Sequence, residues 1–99
     1  MFDFGGKTAL ITGASYGLGE EFAYAFAEAG ADLILTARSE ELLQAVAKKC
    51  RESGSKVTDS PGDIAIERDE QSVIEAGLAA HGQIDVLINN AGIADARGV

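Results

Sequence analysis

One cysteine, one proline, no tryptophan and half as many basic as acidic residues mark what this 99-residue sequence is short of. Cys50 has no second cysteine to pair with, which excludes an internal disulfide framework and makes a cytoplasmic setting the expectation. Pro61, the lone proline, reads as the limit of a strand at a sheet edge, where a missing N–H costs no ladder bond. A net charge of −8 argues against nucleic acid and anionic membrane surfaces as partners, because both reward clustered Lys and Arg. The only local group of cations, Lys48, Lys49 and Arg51, falls in the last turns of a helical pattern, where it suits the dipole and reads as a solvated face. No apolar run approaches the ~18 residues of a membrane span. Met1 to Lys7 has neither the basic segment nor the apolar segment of a secretory signal. No spacing of His, Cys, Asp or Glu suggests a metal site, and the length allows one domain.

What is present is glycine at particular places. The apolar run Ala9-Leu10-Ile11 is followed by Thr12-Gly13-Ala14-Ser15-Tyr16-Gly17-Leu18-Gly19, and a helical pattern opens there. Glycines 13, 17 and 19 stand where a strand turns into a helix. Such a turn needs positions without Cβ, to reach positive φ or to let a ligand lie against bare backbone. The helix behind it offers free N–H groups and a positive dipole end, which suits a pyrophosphate. The spacing G-x-x-x-G-x-G is a variant of the dinucleotide-binding fingerprint.

The remainder alternates. Strands are expected at 7–12, 32–37, 56–60 and 85–90, and helices at 17–29, from Ser39 to the Gly54 stop, and at 67–81. Leu18, Phe22, Ala25, Phe26 and Ala29 form the expected buried face of the first helix, and Leu42, Leu43, Val46, Ala47 and Cys50 that of the second. Ser39 is the expected N-cap of the second helix, and Gly30, Gly54 and Gly82 the stops. The continuous apolar run Leu33-Ile34-Leu35 suits a strand covered on both faces. Right-handed crossovers then give an α/β fold, half of a doubly wound Rossmann unit, with a parallel sheet of strand order 3-2-1-4 and three helices. The winding reverses between the first and fourth strands, and a ligand is expected across their carboxyl ends.

Thr12-Gly-x-x-x-Gly-x-Gly19 together with Asn89-Asn90-Ala91-Gly92 resembles the short-chain dehydrogenase/reductase family, and Gly6 to Ile11 and Asp63-Ile64 fit it too. The resemblance covers essentially the whole chain and matches that family's N-terminal half. It implies an oxidoreductase that moves hydride between a nicotinamide dinucleotide and a carbonyl or alcohol. It places Gly13, Ser15, Tyr16, Gly17, Leu18 and Gly19 along the adenosine and pyrophosphate, and Asp63 and Ile64 at the adenine. Asn90, Ala91 and Gly92 fall near the riboses, while Thr12 and Asn89 serve sheet and turn geometry. NAD-preferring relatives carry Asp at the end of the second strand. Here Ala37 removes that carboxylate and Arg38 offers a guanidinium to a 2′-phosphate, so NADP is the expected cofactor rather than NAD. A second basic residue, frequent in the family before the middle glycine, is Tyr16 here.

The family's reaction needs Ser and a Tyr-x-x-x-Lys pair. Tyr16 and Tyr24 have Glu20 and Glu28 four residues on, so no catalytic residue is assigned, and the chain reads as a truncated cofactor-binding half that is inactive alone. The alternative is a non-catalytic nucleotide-binding or oligomerising fragment. An open apolar fourth strand, Val86-Leu87-Ile88, would invite self-association or a complementing chain. Other readings are blander. Tyr16 either touches the ligand or fills the loop, and Asp63 either meets adenine or only turns the chain. Cys50 reads as a buried small hydrophobe and His81 as a cation at a helix C-terminus. Glu20, Glu21, Glu67, Asp69 and Glu70 read as helix-start charges.

Overall fold

A computed structural model describes residues 3–91. Strands β1 (Thr8–Thr12), β2 (Asp32–Thr36), β3 (Val57–Asp59) and β4 (Val86–Asn89) alternate with helices α1 (Gly17–Glu28), α2 (Glu40–Glu52) and α3 (Glu67–His81). All pairings are parallel, in the order β3-β2-β1-β4. The half doubly wound fold expected from the alternation is therefore the one observed, with strands a residue or so shorter at their ends.

The sheet separates two apolar layers by simple alternation. Ala9, Ile11, Leu33 and Leu35 face α1 and α2 and join Ala23, Ala27, Leu43, Val46, Ala47 and Cys50. Leu10 and Ile34 face the other way, toward Val73 on α3. β1 and most of β2 are buried throughout, which is why their sequences are apolar without a break. Gly77 lets α3 approach closely: a Cβ there would collide with Ile34 Cδ1.

The buried face of α1 differs from expectation. Gly19, Ala23 and Ala27 are its buried residues, Phe22, Phe26 and Ala29 are half-buried, and Leu18 and Ala25 are exposed. The helix lies so close to the sheet that small residues make the contact. The aromatics wedge in at the flank, Phe26 with its ring centroid 4.9 Å from that of Phe4. On α2 the expected face holds except for Leu42, which is about half exposed.

Two charged groups also depart from the reading. Arg51 is no mere solvated cation: its Nη2 donates to Asp59 Oδ1 at 2.8 Å and to the Val57 carbonyl at 2.9 Å, tying α2 to β3. Lys49 stands 5.4 Å from the Tyr24 ring centroid. His81 is not the dipole cation of α3. Lys56 takes that place, its Nζ donating to the Ala80 carbonyl at 2.6 Å. His81 is half-buried, with Nε2 3.0 Å from Thr58 Oγ1. Burial first, and the Lys56 charge second, hold its pKa below the ordinary histidine value, against a smaller pull from Asp32. Cys50 is fully buried, and burial pushes its thiol up to about 11, which makes it the inert hydrophobe expected. Among the described residues, no helix is long and apolar enough to cross a membrane.

Candidate functional site

The carboxyl ends of β1 and β4 are clipped together by side chains of both glycine-bearing motifs. Thr12 Oγ1 lies 3.2 Å from Asn89 Oδ1 and accepts the Ala91 N–H at 3.0 Å. Asn90, buried, donates from Nδ2 to the Gly13 carbonyl at 3.2 Å. The β1–α1 turn is also tied to β2, where the Ala14 N–H donates to the Thr36 carbonyl at 3.1 Å. The turn is thus held from both neighbouring strands at the point where the winding reverses.

Glycine is required in this knot. Gly13 has φ +62°, and a Cβ on it would come within 2.9 Å of Asn90 Nδ2. A Cβ on Gly19 would run into the Gly13 carbonyl. Gly19 therefore serves the approach of α1 to the turn and does not line the space beyond.

That space is a cavity of about 680 Å³. One wall is the β1–α1 turn, with Gly13, Ser15, Tyr16, Gly17 and Leu18. A second is the β2–α2 turn, with Thr36, Ala37, Arg38, Ser39 and Leu42. The loop residues Gly62, Asp63, Ile64 and Ala65 make a third, and Asn90 and Ala91 close it. Every site residue expected from the sequence lines it except Gly19, which lies behind, and Gly92, which is outside the described residues. Thr36, Ser39, Leu42, Gly62 and Ala65 were not expected. Leu42 carried a signal that misled, since its place on the apolar stripe of α2 pointed to the core, yet it stands in the first turn beyond the sheet.

The walls are chemically uneven. Tyr16, 65% exposed, is the N-cap of α1 and makes no side-chain capping hydrogen bond to the helix. The first N–H groups of a helix have no intrahelical partner, so α1 presents uncapped donors at the cavity. α2 is capped: Ser39 Oγ accepts the Leu42 N–H at 3.3 Å. Arg38 is exposed on the lining and, among the described residues, has no ion pair or side-chain hydrogen bond. Asp63 uses Oδ1 to accept the Ala65 N–H at 3.0 Å, a tight turn that leaves Oδ2 without a partner among the described residues. Turn residue and lining residue are therefore one and the same group. Tyr24 is off the cavity, donating to Glu20 at 2.7 Å; burial first, and Glu20 second, push its phenol up to about 12. Among the described residues, no group of three His, Cys, Asp or Glu is placed to hold a metal ion.

Comparison with known proteins agrees with this geometry. The family model described as short chain dehydrogenase matches residues 7–99. The chain is 44% identical over 93 residues to the 11-beta-hydroxysteroid dehydrogenase-like 4A of Arabidopsis thaliana, covering 93% of this chain and 31% of that protein. It superposes on the L-sorbose reductase of Gluconobacter frateurii, solved with NADPH and L-sorbose, with a TM-score of 0.82 and 34% identity over 86% of this chain and 33% of that one. A short chain dehydrogenase/reductase of Burkholderia phymatum, solved in complex with NAD, gives a TM-score of 0.82 and 34% identity over 88% of this chain and 31% of that one. The chain thus spans about a third of the length of these relatives. By its sequence, its sheet order and the family model, it belongs to the short chain dehydrogenase family of oxidoreductases.

Proposed function

We propose that this chain is the dinucleotide-binding part of an oxidoreductase that moves hydride between a nicotinamide cofactor and a carbonyl or alcohol, with NADP(H) preferred over NAD(H). On this reading residues 1–99 make up one truncated Rossmann unit, in a cytoplasmic setting that the unpaired Cys50 suits. The hydride chemistry is supplied by the nicotinamide ring when the cofactor is bound. This chain binds and orients the other end of the molecule.

The cavity fits that role. At Gly17 the space a side chain would fill is open, so a pyrophosphate can approach the backbone where α1 presents uncapped N–H donors. Ser15, Tyr16 and Leu18 flank that approach. Asp63 has a carboxylate oxygen to spare for an adenine amino group, with apolar Ile64 beside it. Asn90 and Ala91, and by sequence Gly92, stand near the riboses.

Arg38 carries the cofactor preference. It sits on the lining next to Ala37 with no ion pair or side-chain hydrogen bond among the described residues, and a dianionic 2′-phosphate is what such a guanidinium would take. Calorimetric titration with NADPH and NADH tests this. NADPH should bind more tightly, and Arg38→Ala should lower its affinity about tenfold to a hundredfold, the size of a charge-assisted contact, while leaving NADH within about twofold. NADH binding as tightly as NADPH to the wild type would refute the preference.

One observation favours a second reading, a non-catalytic fragment that binds nucleotide or pairs with another chain. β4 is an outer strand of the four-stranded sheet, and Leu87 on it is 61% exposed.

A further inference from the structure

The cavity wall made by residues 62–65 is held by a side chain that does not line the cavity. α3 begins at an N-cap, Ile66, that makes no side-chain capping bond. Asp69 stands at the third position of the helix, from which an acidic side chain ordinarily reaches back to the N–H of the cap residue. It does something else here. The Ile66 N–H donates to the Asp63 carbonyl at 2.9 Å, and Asp69 Oδ2 reaches past it to accept the Asp63 N–H, also at 2.9 Å. Arg68, 3.9 Å from the other oxygen and largely exposed, adds little.

The same carboxylate meets the loop from a second direction. A Cβ on Gly62 would stand 3.2 Å from Asp69 Cβ and 3.3 Å from its carboxyl carbon, so only glycine lets the two lie this close without a shift. The Gly62 N–H donates to the Ala37 carbonyl at 2.9 Å, and Thr36 Oγ1 donates to the Ser60 carbonyl at 2.6 Å. The loop is therefore anchored to the end of β2 on one side and to α3, through Asp69, on the other.

We propose that Asp69 is a positioning residue for base recognition. By clamping the Asp63 main chain, it fixes where the carboxylate of Asp63 offers Oδ2, and so sets a preference for a 6-aminopurine over a 6-oxopurine. The proposal rests on the nucleotide reading of the cavity given above. An exocyclic amine donates to the unpaired oxygen; a 6-oxo group sets one acceptor against another.

Adenosine 2′,5′-bisphosphate and its inosine counterpart, titrated calorimetrically into the wild type and into Asp69→Ala and Asp69→Asn, test it. The wild type should prefer the adenosine ligand about tenfold, the size of a hydrogen bond to a charged group. Asp69→Ala should bring the two ligands within about twofold of each other, with the inosine affinity unchanged. Asp69→Asn, whose amide oxygen still accepts the Asp63 N–H, should keep the preference. Equal weakening of both ligands, or an undiminished preference in Asp69→Ala, would overturn the proposal. A wild type that binds neither ligand would overturn the nucleotide reading instead, and one that binds both alike would leave Asp69 nothing to position and overturn the proposal alone. Should Asp69→Ala fail to fold, Gly62→Ala disturbs the same contact from the loop side; the preference should shrink there too, and its persistence would refute the clamp.

Discussion

His81 shows how far a single residue can depart from its sequence context. Its place in the last turn of α3 suits a cation, but burial and Lys56 hold its pKa down, so the folded chain keeps the ring neutral where an unfolded one would protonate it. The unfolded state then binds more protons as pH falls below the ordinary histidine range. The stability that the neutral ring contributes is complete above about pH 6.5 and is lost on acidification toward the lowered folded-state pKa. Urea unfolding at about pH 7.5 and about pH 5.5 should show a larger drop for the wild type than for His81→Gln, which carries no titrating ring. Equal drops would mean that carboxylates alone set the acid limb. The lining residues named from the sequence carry local signals: glycines at a strand end, Arg38 following Ala37, Asp63 after a short strand; Thr36, Ser39, Leu42, Gly62 and Ala65 carry none that points to the cavity. His81 was not legible, since its partner Thr58 stands on β3 and the charge of Lys56 just before it, and nothing in α3 announces them.

At the level of elements, the alternation of apolar strands with helices gave the strand order, because a parallel sheet with right-handed crossovers has few ways to wind. The buried face of α1 was harder to read. A helical stripe of large apolar residues usually points inward, but α1 is drawn in by the knot at Gly13 and Asn90, and at that distance only Gly19, Ala23 and Ala27 fit beneath it. The close approach makes a prediction about Gly19. Replacement by alanine sets a methyl group against the Gly13 carbonyl, a backbone atom that cannot swing aside. Gly19→Ala should destabilise the fold by about 1–3 kcal/mol, as overpacking does, measured by chemical denaturation. On the nucleotide reading it should also weaken NADPH more than the lost stability explains, because the turn that is displaced is the one lining the cavity. An alanine variant with wild-type stability would mean that α1 can draw back from the sheet at no cost.

For the molecule as a whole, the sheet is asymmetric about its two outer strands. β3 is short, ends before Pro61, and is tied down by Arg51 through Asp59 and the Val57 carbonyl, so that edge is blunted. β4 has no such protection among the described residues. Its residues alternate between half-buried Val86 and Ile88 and exposed Leu87 and Asn89, and its outer side pairs with no strand there. Relatives about three times as long have further chain that can cover such a strand; in a preparation of these 99 residues a second copy is one source of that cover. Sedimentation of the chain over a range of concentrations should therefore show self-association, and Leu87→Lys should shift it toward monomer. Lysine on an exposed strand opposes pairing through the charge it brings to the edge, and this site is open enough for the substitution to leave the core intact. NADPH binding is the control that separates the outcomes. The cavity lies at the strand ends, with Leu87 absent from its lining, so a monomeric Leu87→Lys should bind as the wild type does. A wild type that stays monomeric at high concentration would show that an open β4 is tolerated, and would remove the observation that favours the self-associating fragment over the cofactor-binding part of an oxidoreductase.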